Sequence, residues 1–261
     1  MQTVRRPAVA GLFYPADPRE LRADVDDYLS RVRPAPGPAP KALIAPHAGY
    51  IYSGPVAAHA YARLRPVADT IRRVVLLAPA HRFPFRGLAF PEASEMLTPL
   101  GRVKVDRGAL EAVTDLPQVQ QLDLAFEGEH ALEVHLPFLQ AVLPSFSVVP
   151  FVVGDATAAE VAEVLERLWG GEETLIVVSS DLSHYLDYES ARARDTRTTR
   201  LIEALDPVVG LHDACGRTPV NGLLTVARRR GLKAETVDLR NSGDTAGPRD
   251  RVVGYGAYLF H

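Results

Sequence analysis

The chain has 261 residues, 47% of them hydrophobic and 23% charged, which is close to ordinary soluble domains and enough for a substantial core. Its 29 basic and 32 acidic residues leave a net charge of −3, so nothing general pulls it toward nucleic acid or an anionic membrane. One cysteine, Cys215, excludes an intrachain disulfide and any four-thiolate zinc or iron–sulfur site, and it points to the reducing cytoplasm.

Thr3–Tyr14 reads as an extended arm. Asp17-Pro18-Arg19-Glu20 then starts a helix, with proline in the first turn, carboxylates at the positive end, and Leu21, Val25, Tyr28 and Leu29 on the apolar face. Pro34, Pro36, Pro38 and Pro40 predict an extended tether. The roughly thirty residues before it are fewer than the ~40 a free-standing core needs, so the tether lies within one domain. Ala42–Ala45 is a strand, Pro55 opens a helix to about Leu64 that carries His59 as a structural residue, and Val74–Ala78 is a second strand.

Further along, Gly87–Phe90 reads as a strand, Thr98–Val105 as a hairpin around Gly101, and Asp106–Thr114 as a helix. The segment Glu127–His135 leads into a helix that packs through Leu136, Leu139 and Val142. Strands over Ser147–Val153 and Thr174–Ser179 flank a helix over Ala156–Trp169. Glu189–Leu205 has the charged spacing of a surface helix, continued by a short helix over Asp206–Ala214. Thr218-Pro219 starts another helix, whose apolar face is Val220, Leu223, Leu224 and Ala227. Strands Ala234–Leu239 and Val252–Phe260 enclose the loop Asn241–Gly247. The alternation predicts the α/β class: a single domain over 1–261 with a central, mostly parallel or mixed sheet and helices on both faces. No stretch is long and apolar enough to span a bilayer.

Three of these strands share a form: Ala42–His47, Val74–His81 and Leu175–His184 each run apolar, break at small or proline residues, and reach a histidine. In open α/β sheets ligands bind beyond the carboxyl ends of the strands, so His47, His81 and His184 are expected on one rim. Two imidazoles from His47 and His81 and a thiolate from Cys215 would suit a borderline metal and leave positions open for water or substrate. Cys215 precedes a helix N-terminus, which favours thiolate; the alternative is a buried small hydrophobe. Asp181 and His184 could form an acid/base pair, or Asp181 could be a cap with His184 merely exposed. His130, Glu133 and His135 resemble an inverted zinc-protease motif. On a helix, however, residues five apart diverge by ~140°, so His130 is read as a pocket residue and not as half of a zinc pair. There is no phosphate loop and no nucleophile elbow, and Gly254-Tyr255-Gly256 lies too late to open a dinucleotide-binding unit.

G-L-F-Y-P at 11–15, P-H-A-G-Y-I-Y-S-G at 46–54, E-H-A-L-E-V-H-L-P-F at 129–138, S-S-D-L-S-H at 179–184 and C-G-R-T-P at 215–219 together resemble the Memo family, which includes the prokaryotic AmmeMemoRadiSam system protein B. The resemblance implies a fold like class III extradiol dioxygenases, with a non-haem iron(II), copper or zinc ion on His47, His81 and Cys215. It places His184 in the same pocket with Asp181 beside it, as catalytic residues; His130, from its own spacing, is read as lining that pocket for substrate. A thiolate where those dioxygenases carry a carboxylate alters metal preference and redox behaviour. Three functions follow as expectations: a metal-dependent redox enzyme, a peptide- or protein-binding module using the old pocket, or an accessory protein of a radical-SAM enzyme and an AMMECR-type partner. The resemblance also implies a homodimer.

Overall fold

The computed structural model describes residues 3–33 and 37–261. Its strands are β1 (Val4–Arg5), β2 (Ala42–Ala45), β3 (Arg73–Pro79), β4 (Leu88–Phe90), β5 (Glu95–Thr98), β6 (Gly101–Val105), β7 (Val119–Gln121), β8 (Ser147–Val153), β9 (Thr174–Ser179), β10 (His184–Leu186), β11 (Ala234–Asn241) and β12 (Val252–Phe260). Its helices are α1 (Pro18–Arg31), α2 (Tyr50–Ala62), α3 (Arg107–Glu111), α4 (Leu136–Val142), α5 (Ala158–Arg167), α6 (Tyr188–Glu203) and α7 (Arg217–Arg229).

One mixed sheet joins the strands in the order β1-β5-β6-β8-β3-β9-β2-β12-β10, with β11 on β12 and with β4 linking β7 to β8. Its centre, β6-β8-β3-β9-β2, is parallel throughout. All four residues of β2 and all six of β9 are buried. Successive side chains of a strand point to opposite faces, so both faces of this centre are covered. The cover comes in two groups: α1, α2 and α4 pack together, while α5 packs on α7, which lies against β3 and β9. Ala45 pairs opposite Ser179 and Leu77 opposite Val178, so β2, β3 and β9 end on a common carboxyl rim.

Local signals explain most boundaries. The Asp17 carboxylate accepts from the backbone N–H groups of Arg19 and Glu20 and caps α1, whose Leu21, Val25 and Leu29 are buried. Thr157 and Glu160 form a reciprocal capping box at α5.

Elsewhere tertiary contacts override the local pattern. The N-terminal arm is extended only at Val4–Arg5; it then folds back through turns in which Leu12 and Phe13 donate to the Val9 carbonyl. Helix α2 begins at Tyr50, five residues before Pro55, which sits inside it and forgoes one ladder bond. Asp206–Ala214 is not helical: Asn221 of α7 bonds both the N–H and the C=O of Val209, replacing helical pairing there. Helix α6 is not simply a surface helix, because Asp195, Thr198 and Thr199 are buried. Of the predicted tether, Pro34 and Pro36 lie outside the described residues. Among the described residues, no helix is long and apolar enough to cross a membrane.

Candidate metal centre

The rim brings His47 from beyond the end of β2, His81 from beyond the end of β3, Asp181 from the segment after β9 and His184 from the start of β10 to one cleft of about 940 Å³. His130 and Cys215 line the same cleft. One ring nitrogen from each of His47, His81 and His130 lies within 4.8 Å of the other two. Cys215 is not part of that trio but meets one member of it, with Sγ 3.4 Å from His47 Nε2.

The proton on His47 can be placed from its neighbours. Ser179 Oγ donates its only proton to the Ala131 carbonyl, at 2.7 Å, so it must accept the 2.6 Å bond from His47 Nδ1. Nε2 therefore carries a lone pair facing Cys215 Sγ. His81 is held in a similar way: its Nδ1 lies 3.0 Å from Glu129 Oε1, and its backbone N–H donates to Oε2 at 2.6 Å. Glu129 also accepts from the N–H groups of His130 and Ala131. Burial alone would raise the Glu129 pKa, but His81 and these backbone donors outweigh it and hold the carboxyl at about 2. A carboxylate behind an imidazole is the arrangement that orients a ligating histidine. Sequence reading does not single out Glu129; its only signal is its place next to His130 in the E-H-A-L-E-V-H run.

Other charges reinforce this picture. Burial, followed by the charges of His81 and His130, pushes the His47 pKa well below its ordinary value, so the ring stays neutral and available as a donor. Burial likewise lowers the His130 pKa, and its buried Nδ1 has no hydrogen-bond partner among the described residues. That nitrogen lies 3.6 Å from Glu129 Oε1, so the fit to a cation rests on the closeness of the three imidazoles and not on this atom. The helix N-terminus does not activate Cys215: burial and the Asp181 carboxylate push its thiol pKa up, so a cation would have to displace the proton.

Asp181 and His184 do not orient each other. Asp181 is buried and its Oδ1 accepts the His47 backbone N–H at 2.8 Å, while His184 Nδ1 donates to the Leu182 carbonyl at 2.8 Å, leaving Nε2 free. Burial raises the Asp181 pKa against the pull of His184. Of the decoy motif, Glu133 and His135 form a buried 3-10 turn away from the cleft. His135 Nδ1 pairs with the Tyr61 hydroxyl, and burial lowers its pKa to about 3. His59 faces Asp238 across the fold, with its Nε2 3.7 Å from Oδ2.

Two residues position the site from behind. A Cβ on Gly216 would sit 2.5 Å from the Ser179 carbonyl oxygen, so only glycine lets the start of α7 press against the end of β9 and carry Cys215 to His47. Gly216→Ala is expected to cost about 1–3 kcal/mol of stability and to weaken metal binding. Urea unfolding and metal titration check this, and a neutral outcome in both removes the packing argument.

Asp195 of α6 reaches under the Asp181–His184 segment and accepts the Ser183 N–H at 3.0 Å. Burial raises its pKa from 3.8 to about 6 against that hydrogen bond. A carboxyl raised on folding binds its proton more tightly in the native state, so the Asp195 contribution to stability is greatest below pH 4 and is lost as pH rises through about 6. Asp195→Asn keeps an acceptor and cannot ionise. Its stability relative to wild type is expected to rise by about 2–3 kcal/mol between pH 4 and pH 7, measured by urea unfolding. A constant difference across that range would refute the titration.

These features define an α/β protein with an imidazole-rich candidate metal centre on the carboxyl rim of a parallel sheet core. The chain belongs to the Memo family: the family profile described as Memo-like protein matches residues 5–259. It is 35% identical over 276 residues to MEMO1 family protein MTH_45 of Methanothermobacter thermautotrophicus, covering 97% of this chain and 98% of that protein. It is 37% identical over 270 residues to a MEMO1 family protein of Aquifex aeolicus, covering 98% and 99%. A similar fold occurs in the crystal structure of uncharacterized protein JW3007 from Escherichia coli K12, with a TM-score of 0.53 and 11% identity, covering 84% of this chain and 98% of that one. At that identity the likeness speaks for the fold alone.

Proposed function

We propose that this chain is a metal-dependent redox enzyme that holds iron(II), or copper in its place, on His47, His81 and Cys215, with His130 on the open side; zinc would fit the same donors but supply no redox chemistry. The observation that carries the reading is the His47 Nε2 lone pair 3.4 Å from Cys215 Sγ. Nitrogen at ~2.0 Å and sulfur at ~2.3 Å on one tetrahedral ion lie about 3.5 Å apart, so the pair is already spaced as two ligands of one ion. Two imidazoles and a thiolate form a donor set suited to iron, copper(I) or zinc. Bound there, iron would supply one-electron chemistry and an open position for oxygen or substrate.

The chain's own residues do the rest. Glu129 and Ser179 fix the imidazoles, so binding requires little reorganisation. His184 Nε2, unengaged in the cleft wall, exchanges a proton with substrate, and Asp181 sets the field at that position. Phe13 packs its ring 4.6 Å from His130 and narrows the mouth against water.

The test is anaerobic reconstitution of the purified protein with iron(II), copper(I) and zinc(II) separately, followed by metal analysis and oxygen consumption with catechol and thiol reductants. One ion per chain is expected, with oxygen uptake dependent on His184 in the iron or copper form and none in the zinc form. Stoichiometric metal without oxygen uptake would remove the redox assignment, and no retained metal would remove the centre.

A further inference from the structure

The cleft is more cationic than the chain around it. Its wall holds three arginines, Arg82, Arg194 and Arg251, against one carboxylate, Asp181, whose Oδ1 is already bonded to His47 N–H. The whole chain carries more acidic than basic residues, so composition does not produce this bias. Elsewhere some arginines find carboxylates, as Arg63 does with Glu235, Arg73 with Asp106 and Arg167 with Asp115, while others, among the described residues, do not. Among the described residues, none of the three cleft arginines makes an ion pair. Arg194 donates only to the His212 carbonyl, and Arg251 lies 4.5 Å from the centroid of the Tyr185 ring.

The same mouth is apolar at its lip. Leu12, Tyr185 and Leu211 are 80%, 62% and 63% exposed, and all three line the cleft. Tyr185 is held at φ 61°, a left-handed conformation costly for a bulky residue. That strain places an aromatic ring at the opening under an unpaired guanidinium. Unneutralised cations beside exposed apolar side chains complement a ligand with both characters.

We propose that the cleft binds an amphipathic organic anion, its carboxylate or phosphate drawn to Arg82 and Arg251 and its apolar body laid on Leu12, Tyr185 and Leu211. This rests on the reading of the cleft as the substrate site, but not on the bound ion. The two anionic heads share one chemistry here, and the probes separate them.

Calorimetric titrations of metal-free and metal-loaded protein compare 4-phenylbutyrate, phenethyl phosphate and the neutral 4-phenylbutyramide. At least one anion is expected to bind about 10-fold more tightly than the amide in both forms of the protein, with the advantage shrinking as salt rises. The better anion identifies the head group. In Arg82→Gln/Arg251→Gln the advantage is expected to fall below about threefold while the melting temperature and metal content stay at wild-type values. Equal binding of anions and amide, an advantage that survives the double substitution, or no binding of either anion at about 10 mM overturns the proposal. An anion preference confined to the metal-loaded form also overturns it, by assigning the attraction to the ion. Loss of metal binding with the anion preference intact would instead sink the redox reading and leave this one standing.

Discussion

Replacing Glu133 by alanine is expected to destabilise the fold by about 3–5 kcal/mol, the cost of leaving a buried charge without its partner. Glu133 is fully buried, and its carboxylate gathers the backbone N–H groups of Ala8 and Val9, the Tyr14 hydroxyl and the Arg5 guanidinium. Arg5 is itself buried enough that desolvation lowers its pKa, with Glu133 opposing that drop. Its other bonds go to the carbonyls of Phe126 and Glu129. Those neutral acceptors cannot balance the charge once Glu133 is gone. The lesion also reaches the cleft, since the same strap carries Phe13 onto His130 and presents the Phe13 carbonyl to Tyr50 N–H. Urea unfolding measures the stability loss, and limited proteolysis ahead of Tyr14 reads the released strap. A loss under about 1 kcal/mol with an intact strap would show that the latch contributes little.

Glu133 also marks where sequence reasoning stops. The central strands are legible because β2, β3, β8 and β9 are nearly continuous runs of apolar residues, a pattern that suits a strand covered on both faces. Once those strands are parallel, topology alone brings His47 and His81 to one rim. The role of Glu133 has no comparable local trace: its partners are about 120 residues away, and its neighbours His130 and His135 suggest a zinc motif instead. Asp195 is hidden for a related reason. A carboxylate among arginines at helical spacing looks solvated until the fold lays Ser183 across it. The false helix at Asp206–Ala214 did carry a warning, since Pro207 and Gly210 both disfavour a helix interior. Pro55 misleads in the opposite direction: proline favours a first turn, yet the helix begins earlier, where Tyr50 N–H is taken by the Phe13 carbonyl of the folded arm.

For the metal centre, His47→Ala is expected to weaken iron(II) or zinc(II) binding at least 100-fold, measured by chelator competition on protein whose circular dichroism matches wild type. His47 is the one donor that both the imidazole trio and Cys215 share, so removing it breaks either arrangement. The companion variants decide which arrangement holds. Cys215→Ala is expected to cost about 10–100-fold, and more for copper(I) than for iron(II), because a soft metal loses more with the thiolate. His130→Ala is expected to cost less than about 10-fold if that ring only lines the open side. Ser179→Ala leaves every donor in place but removes the hydroxyl that fixes the His47 tautomer, and a loss of about 10-fold is expected from that alone. A larger loss from His130→Ala than from Cys215→Ala would move the thiolate out of the coordination shell and assign the ion to three imidazoles. Unchanged affinity in His47→Ala would leave no metal centre on this rim.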